Sequence, residues 1–163
     1  MNTTATIKQS ERKNILLSKK GMKELRKAIT QLEYDRQAIR RSLRESDKTT
    51  SHDDRFARNE RLLRLETIEM ELAEKQQILN RAKLIPSKRT RMKVAIGSVV
   101  HLIDQQGRLI RYTLVESIEA NPSDGRISAV SPLGSTLIGK TVKDMIEWGN
   151  GLNHTTLQLV KIS

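Results

Sequence analysis

The amino-acid sequence predicts an α+β protein, in which an N-terminal antiparallel coiled-coil hairpin precedes a small antiparallel-sheet domain. Apolar residues recur at helical spacing up to about residue 85, and short alternating strands separated by turn residues follow from about residue 94. The charge changes at the same place, because residues 1–93 contain 24 Lys and Arg against 13 Asp and Glu, whereas residues 94–163 contain six of each. We therefore divide the chain into a disordered tail (1–14), a coiled coil (15–85), a basic linker (86–93) and a C-terminal domain (94–163).

The first helix is predicted from about Ser18 to Asp47. Ser18 is a suitable N-cap, and no proline interrupts the segment. Arg36 occupies one interior position of a heptad pattern whose other interior positions are apolar. Those apolar residues are Met22, Leu25, Ile29, Leu32, Ile39 and Leu43.

The second helix is predicted from about Asp53 to Leu84, and Lys75 takes one of its interior positions. Its apolar interior residues are Leu62, Leu65, Ile68, Leu72, Leu79 and Ala82. Each helix of about 30 residues spans about 45 Å, at 1.5 Å per residue. Because only a short polar segment separates them, the two helices must run antiparallel.

The C-terminal domain is predicted to contain five short strands and one small helix. The strands are expected at 99–103, 109–118, 126–130, 144–148 and 155–162, with Gly, Asn, Asp and Pro between several of them. The helix is expected within 131–140 and should be ended by Gly139. This composition predicts a small antiparallel α+β domain.

Several classes of chemistry are excluded or disfavoured by composition. The chain has no cysteine, which excludes disulfides, a thiolate nucleophile and a cysteine zinc site. His52, His101 and His154 are scattered without metal-ligand spacing, and no catalytic or phosphate-loop motif occurs. Residues 1–14 have no apolar run and no segment is long enough to span a membrane, so we expect a cytoplasmic protein without membrane contact. We expect no enzyme active site within this chain.

Two adjacent acids, Asp53 and Asp54, interrupt the basic hairpin where the second helix starts. They have an ordinary structural explanation, because carboxylates in a first turn interact favourably with the exposed backbone N–H groups, and Thr50 or Ser51 could supply the cap. They also have a functional one, since Mg²⁺ takes one or two protein carboxylates and leaves its other positions to water and phosphate. Both interpretations remain open from these residues alone.

Three segments resemble a known family. LSKKGMKELRKAITQLE (17–33) is similar to the first helix of bacterial Gre-type transcript cleavage and elongation factors, which follows a Leu-Thr-x-x-Gly-x-x-x-Leu pattern. ISAVSPLGSTLIGK (127–140) is similar to their Ile-Ser-x-x-Ser-Pro-x-x-x-x-Leu-Ile-Gly-Lys, and ILNRAKLI (78–85) matches the end of their hairpin in kind. The resemblance covers roughly residues 15–163, including the order of the parts.

The resemblance implies a mechanism. Gre factors place their coiled coil in the secondary channel of bacterial RNA polymerase, and their FKBP-like C-terminal domain holds the channel rim. Tip acids, here Asp53 and Asp54, would help to bind a Mg²⁺ shared with the polymerase, whose own active site then cuts backtracked RNA. The protein would then be no enzyme, would bind no cofactor stably and would act as a monomer. Ser131, Pro132 and Leu133 are the residues expected to contact the polymerase.

The tip differs from the family motif Gly-Asp-x-x-Glu-Asn-Ala-x-Tyr. Counted back from the matched helix end, Ser51 stands at the Asp position and Asp54 at the Glu position; counted forward from Gly21, Asp53 or Asp54 can stand in. Two versions of the function follow. In one, the tip acids stimulate RNA cleavage; in the other, the hairpin occupies the channel and inhibits or modulates the polymerase without cleavage.

Seven arginines lie in the half of the hairpin nearest the tip and are expected to contact nascent RNA or acidic channel walls. They are Arg40, Arg41, Arg44, Arg55, Arg58, Arg61 and Arg64. The alternative is a solvated helix surface supported by pairs such as Glu60 and Arg64. Two other functions remain open on the sequence, namely a basic coiled coil that binds free nucleic acid and an oligomerising coiled-coil adaptor.

Overall fold

The computed structural model describes residues 14–46, 52–86, 92–149 and 154–163 of the 163-residue chain. The helices and strands are, in chain order, β1 (Ile15–Leu17), α1 (Lys19–Ser46), α2 (His52–Arg81), β2 (Ala82–Leu84), β3 (Val99–Asp104), β4 (Leu109–Val115), β5 (Arg126–Ser128), α3 (Pro132–Leu137), β6 (Met145–Trp148) and β7 (Thr155–Ile162). The chain divides into a helical unit, which includes residues 22–82, and a C-terminal unit, which consists of residues 15–21 and 83–163. The predicted α+β fold class is confirmed.

The helical unit is the predicted antiparallel hairpin, with 28 residues in α1 and 30 in α2. Its buried side chains are Leu25, Ile29, Leu43, Ile68 and Leu72, all at predicted interior positions. The Arg40 guanidinium and the Glu69 carboxylate form an ion pair across the two helices, with an N–O distance of 2.6 Å.

The interior pattern of α2 changes towards the tip, because Leu62 is exposed although it was predicted to be interior. Successive steps of three residues, from Leu62 to Leu65 and on to Ile68, turn the helix away from its partner, since a seam needs alternating steps of three and four. Continued back from Leu65 with the correct steps, the seam instead meets Arg61, Arg58 and then Asp54, which are half-buried. The seam of α2 is therefore polar near the tip.

The C-terminal unit contains a five-stranded sheet in the order β5-β4-β3-β7-β6. All pairs are antiparallel except β4 and β5, which are parallel with Thr113 opposite Arg126, so the prediction of a purely antiparallel sheet is wrong for this pair. Parallel neighbours need a crossover connection. Here two 3₁₀ turns, Ser117–Glu119 and Pro122–Asp124, carry the chain back to the start of β5.

The core of the C-terminal unit lies between the sheet and α3. It consists of Val94, Val100, Leu102, Leu114, Ile127, Leu133, Leu137, Ile146, Leu157, Leu159 and Ile162. The helix α3 is short and is followed by Gly139 with φ of +79°, a left-handed conformation that stops the helix as predicted. In the next turn, the backbone N–H of Thr141 donates to the Asp144 carboxylate (2.8 Å), which lowers the pKa of that carboxyl below its usual value.

Strands β1 and β2 were not predicted. They form a two-stranded sheet from segments that the sequence pattern assigns to the two ends of the hairpin. Leu17 is fully buried, and its carbonyl oxygen accepts a hydrogen bond from the N–H of Ile85 at 2.9 Å. Residues 15–21, which include the first turn of α1, therefore group with the C-terminal unit.

The start of α1 is capped by a side chain about 100 residues away in the sequence. Ser18 is the N-cap, as predicted, because its Oγ accepts a hydrogen bond from the N–H of Gly21 at 2.9 Å. The buried Glu119 carboxylate accepts from the Ser18 N–H at 2.9 Å and also from the Ser18 hydroxyl. In a capping box, a Glu three residues after the cap makes that backbone contact. Here that position is Gly21, and Glu119 takes over the role.

Gly21 is required by the same contact. A Cβ atom at this position would lie 2.2 Å from Glu119 Oε1 and 2.3 Å from Glu119 Cδ. The carboxylate cannot move aside without losing its hydrogen bonds to Ser18, because it is buried and held at both oxygens. Residue 21 must therefore be glycine because there is no room for a Cβ atom beside Glu119, although Gly in a helix normally costs up to about 1 kcal/mol relative to Ala.

We expect Gly21→Ala to destabilise the protein, opposite in sign to the usual effect of replacing a helical Gly by Ala. Glu119→Ala should cost about 1–3 kcal/mol because the half-buried N–H and hydroxyl of Ser18 lose their acceptor. In the Glu119→Ala background, Gly21→Ala should become neutral or stabilising by up to about 1 kcal/mol. Urea unfolding of the four proteins of this cycle measures the coupling, and additive effects of the two substitutions would contradict the proposed cap.

Candidate interaction sites

The predicted metal-binding acids lie in the first turn of α2, which begins at His52. Residues 47–51, including Thr50 and Ser51, lie outside the described part of the chain, as does the side chain of Asp53. Asp54 is half-buried at a seam position of α2. Among the described residues, no group of three or more metal-ligating side chains occurs. The Mg²⁺ role of Asp53 and Asp54 therefore stays a prediction.

The seven predicted arginine contacts fall into two groups. Arg58 and Arg61 are half-buried in the seam, whereas the exposed members are Arg40, Arg41, Arg44, Arg55 and Arg64. Arg40 is engaged by Glu69, but such an exposed ion pair contributes less than about 1 kcal/mol and is easily replaced. Exposed arginines of both helices are thus available to bind a phosphate-rich or acidic surface. Their contact with RNA or a channel wall stays a prediction.

A surface turn precedes α3 and contains the predicted polymerase-binding residues. Ser131 builds the turn, because its Oγ donates to the carbonyl of Ser128 at 2.7 Å and accepts from the N–H of Gly134 at 3.1 Å. Leu133 is only 8% exposed and packs in the core, so its expected role as a contact residue does not fit its position. Pro132 is exposed at the first position of α3.

The same turn exposes an apolar residue that the sequence analysis missed. Val130 is 74% exposed directly before Ser131. It was predicted to end the third strand, but that strand ends at Ser128, and the turn directs Val130 to the surface. Val130 and Pro132 together form a small apolar surface on a turn that is fixed by hydrogen bonds, and we call this pair the head turn surface.

Comparison with known proteins identifies the C-terminal unit. The family model described as "Transcription elongation factor, GreA/GreB, C-term" matches residues 89–163. Residues 89–163 are a GreA/GreB C-terminal domain. The resemblance drawn from SPLGSTLIGK is thereby confirmed, and this element supplies the head turn surface and α3 of the domain.

Curated relatives extend the likeness beyond the GreA/GreB domain. GreA of Nautilia profundicola is 45% identical over 82 residues, which cover 49% of this chain and 51% of that protein. This match therefore spans about half the length of the relative. GreA of Syntrophomonas wolfei is 29% identical over 144 residues, which cover 84% of this chain and 88% of that protein. An alignment of that length includes part of the hairpin as well as the GreA/GreB domain.

One solved structure is also similar to this chain. The GreA factor homolog 1 (Gfh1) protein of Thermus thermophilus is 23% identical, covers 93% of this chain and 99% of its own, and overlays with a TM-score of 0.41. Within the described ranges, no helix is both long and apolar enough to cross a membrane.

Substitutions in the turn before α3 should separate its surface residues from its core residues. Leu133→Ala should lower the free energy of unfolding by about 2–5 kcal/mol, because it leaves a cavity in the core of the GreA/GreB domain. Val130→Ala should change it by no more than about 0.5 kcal/mol, because the side chain is already in water. Urea unfolding measures both, and similar losses for the two variants would contradict the assignment of Val130 to the surface.

Proposed function

We propose that this protein is a Gre-type transcription elongation factor that binds bacterial RNA polymerase with its GreA/GreB domain and places its hairpin in the secondary channel. The match of residues 89–163 to the GreA/GreB domain is the observation that carries the proposal. The order of parts supports it, since an antiparallel hairpin precedes that domain and the Syntrophomonas wolfei GreA aligns across most of the chain. A plain nucleic-acid-binding protein is not favoured, because that function would not require this domain.

The polymerase contact is assigned to the head turn surface, Val130 and Pro132. Both are exposed, and the hydrogen bonds of Ser131 fix the turn between them. A preformed apolar contact loses little conformational entropy on binding. Leu133 supports this surface from below as part of the core.

In this proposal the hairpin contacts its partners mainly through electrostatic interactions. Its exposed arginines give salt-sensitive attraction to RNA phosphates or acidic channel walls. The carboxylates of Asp53 and Asp54 are hard oxygen ligands of the kind that Mg²⁺ takes, and the polymerase supplies the remaining ligands. The metal supplies two-metal phosphodiester chemistry within the polymerase. The protein itself is not an enzyme and holds no cofactor outside that complex.

A second version of this function has a specific observation in its favour. Ser51 stands where the family motif has Asp, so the tip offers fewer carboxylates in the matched register. In this version the hairpin occupies the channel and slows or modulates the polymerase without stimulating cleavage. The two versions share the same partner and the same docking surface, and they differ only at the tip.

Binding to the polymerase should depend on the head turn surface. The wild type should be retained by immobilised bacterial core RNA polymerase, and Val130→Asp should reduce retention at least about tenfold, because it places a charge in an apolar contact. Val142→Asp is the matched control, since Val142 is also an exposed valine of the same domain. Equal retention of both variants would exclude this surface, and no retention of the wild type would exclude the proposed function.

RNA cleavage should depend on the two tip acids if the first version holds. On stalled elongation complexes, the wild type should shorten backtracked RNA, and Asp53→Ala/Asp54→Ala should reduce that rate by at least about 100-fold. Glu45→Ala is the control, because Glu45 is an exposed acid near the end of α1. Equal shortening by the wild type and the double variant would rule out a role for the acids. Polymerase binding without any shortening would establish the non-cleaving version.

A further inference from the structure

Three basic side chains lie in line across the outer face of the five-stranded sheet, and we call them the sheet row. Arg111 of β4 and Lys161 of β7 both lie directly opposite His101 of β3, which is their common neighbour. Residues directly opposite each other in adjacent strands project from the same face of a sheet. That face is turned away from the core, because the residues that alternate with the sheet row along the strands belong to the core or pack against it. They are Val100, Leu102, Tyr112 and Ile162.

The sheet row keeps its hydrogen-bond donors available for a partner. Arg111 and Lys161 are exposed, and His101 is half-buried. Within the part of the chain that the structure describes, no hydrogen bond or ion pair engages any of these three side chains. Arg126 of β5 differs, because it forms an ion pair with Asp124 at 2.9 Å.

The acids of the domain do not neutralise the sheet row. Residues 94–163 contain six basic and six acidic residues, but five of the acids accept hydrogen bonds within the protein. They are Asp104, Glu116, Glu119, Asp124 and Asp144. The sixth acid, Glu147, is exposed on the same face, but its neighbour in β7 is Thr156, five residues from Lys161. At about 3.4 Å per residue the separation is about 17 Å, which exceeds the Debye length of about 8 Å at physiological salt.

An open row of basic side chains fits an extended polyanion better than a small anion or an acidic protein. Small-ligand sites are concave and enclose their ligand, whereas Arg111 and Lys161 are exposed on a sheet face. Interfaces between proteins have apolar and aromatic residues at their centre and charges at the rim, whereas the centre of this surface is charged. Interfaces between proteins and DNA are polar and strongly basic throughout.

The dimensions of the sheet row fit a phosphate backbone. Neighbouring strands lie about 4.8 Å apart, so the sheet row extends over about 10 Å. One strand of B-DNA carries a phosphate for about every 3.4 Å of helix axis, so this length faces about three phosphates. Thr113 and Gln158, on the same face beside the sheet row, add neutral hydrogen-bond donors of the kind that contact phosphate oxygens.

We propose that the sheet row binds the phosphate backbone of double-stranded DNA without reading its sequence. Single-stranded nucleic acid fits less well, because proteins bind it by stacking its bases on aromatic side chains. The strands β3, β4 and β7 contain one aromatic residue, Tyr112, and it packs against the core on the other face of the sheet. The sheet row shares no residue with the head turn surface, so this contact with DNA does not require the polymerase.

The salt dependence of binding measures the number of phosphate contacts. The full-length protein should bind a labelled duplex of about 25 base pairs, with an affinity that falls as salt rises from about 50 to 200 mM. Arg111→Gln/Lys161→Gln should lower the affinity at least about tenfold at the lower salt concentration. It should also reduce the slope of log K against log salt by about 1.8, which is about 0.9 for each of two contacts. Lys23→Gln/Lys27→Gln is the matched control, because both lysines are exposed on α1 and their replacement removes the same net charge.

A wild type that does not bind the duplex would overturn the proposal. Equal losses in the sheet row variant and the control would also overturn it, since binding would then follow net charge alone. Tighter binding to a single strand than to the duplex, lost in the sheet row variant, would contradict the choice of double-stranded DNA. Both variants should unfold at the same urea concentration as the wild type, because all four side chains are exposed.

Cross-linking locates the DNA without changing the charge of the protein, and the absence of cysteine makes each introduced thiol unique. With a photoreactive group on its thiol, Gln158→Cys should cross-link to the duplex, because residue 158 lies beside the sheet row. Ser135→Cys is the control, since Ser135 is exposed on α3, which packs against the other face of the sheet. Equal cross-linking of the two proteins would contradict the proposal.

Retention by immobilised core RNA polymerase, free of nucleic acid, distinguishes DNA from a protein partner. Arg111→Gln/Lys161→Gln should be retained as well as the wild type. Loss of retention with unchanged binding to the duplex would make the sheet row a protein-binding surface and overturn the proposal. Failure of the wild type to bind the polymerase would exclude the proposed function, whereas binding to the duplex is measured without the polymerase.

Discussion

The buried carboxylate of Glu119 is the contact on which the arrangement of the C-terminal unit depends most directly. A buried carboxylate is costly unless hydrogen-bond donors satisfy it. Its donors are the N–H and the hydroxyl of Ser18, and the hydroxyl of Ser18 in turn accepts from the N–H of Gly21. This chain of hydrogen bonds joins the first turn of α1 to the crossover between β4 and β5. It also explains why residues 15–21 group with the GreA/GreB domain and why residue 21 is a glycine.

The crossover that carries Glu119 has a second consequence for the sheet. Because the chain passes through two 3₁₀ turns after β4, it returns in the same direction and pairs β5 parallel to β4. At the end of β5, the carbonyl of Ser128 accepts the Ser131 hydroxyl, and Ser131 caps α3. The segment between β4 and α3 therefore provides both the Glu119 carboxylate at the cap of α1 and the turn that exposes Val130. Substitutions in this segment are expected to affect both.

Local patterns predicted local structure well, whereas contacts between distant residues could not be predicted. Residue spacing and turn chemistry predict the two long helices, the five strands of the domain, the Ser18 cap and the helix stop at Gly139. The β1–β2 pair and the Glu119 cap join residues far apart in the chain, and no single segment carries a signal for them. The family motif located the turn before α3, but a motif does not say which side chain faces water: Leu133, expected to be a contact residue, is buried, and Val130, expected to end a strand, is exposed. Leu62 has the apolar character of an interior residue, but its heptad phase places it at the surface.

Heptad phase also explains why α2 has two different faces. Near the tip, the positions that face α1 are Asp54, Arg58 and Arg61, while Phe56 and Leu63 lie on the outer face. Near the tip, Leu43 of α1 is buried, but none of the described residues 54–67 of α2 is, so apolar packing between α1 and α2 stabilises this part of the hairpin less. The large apolar side chains of Phe56, Leu62 and Leu63 are instead exposed to water.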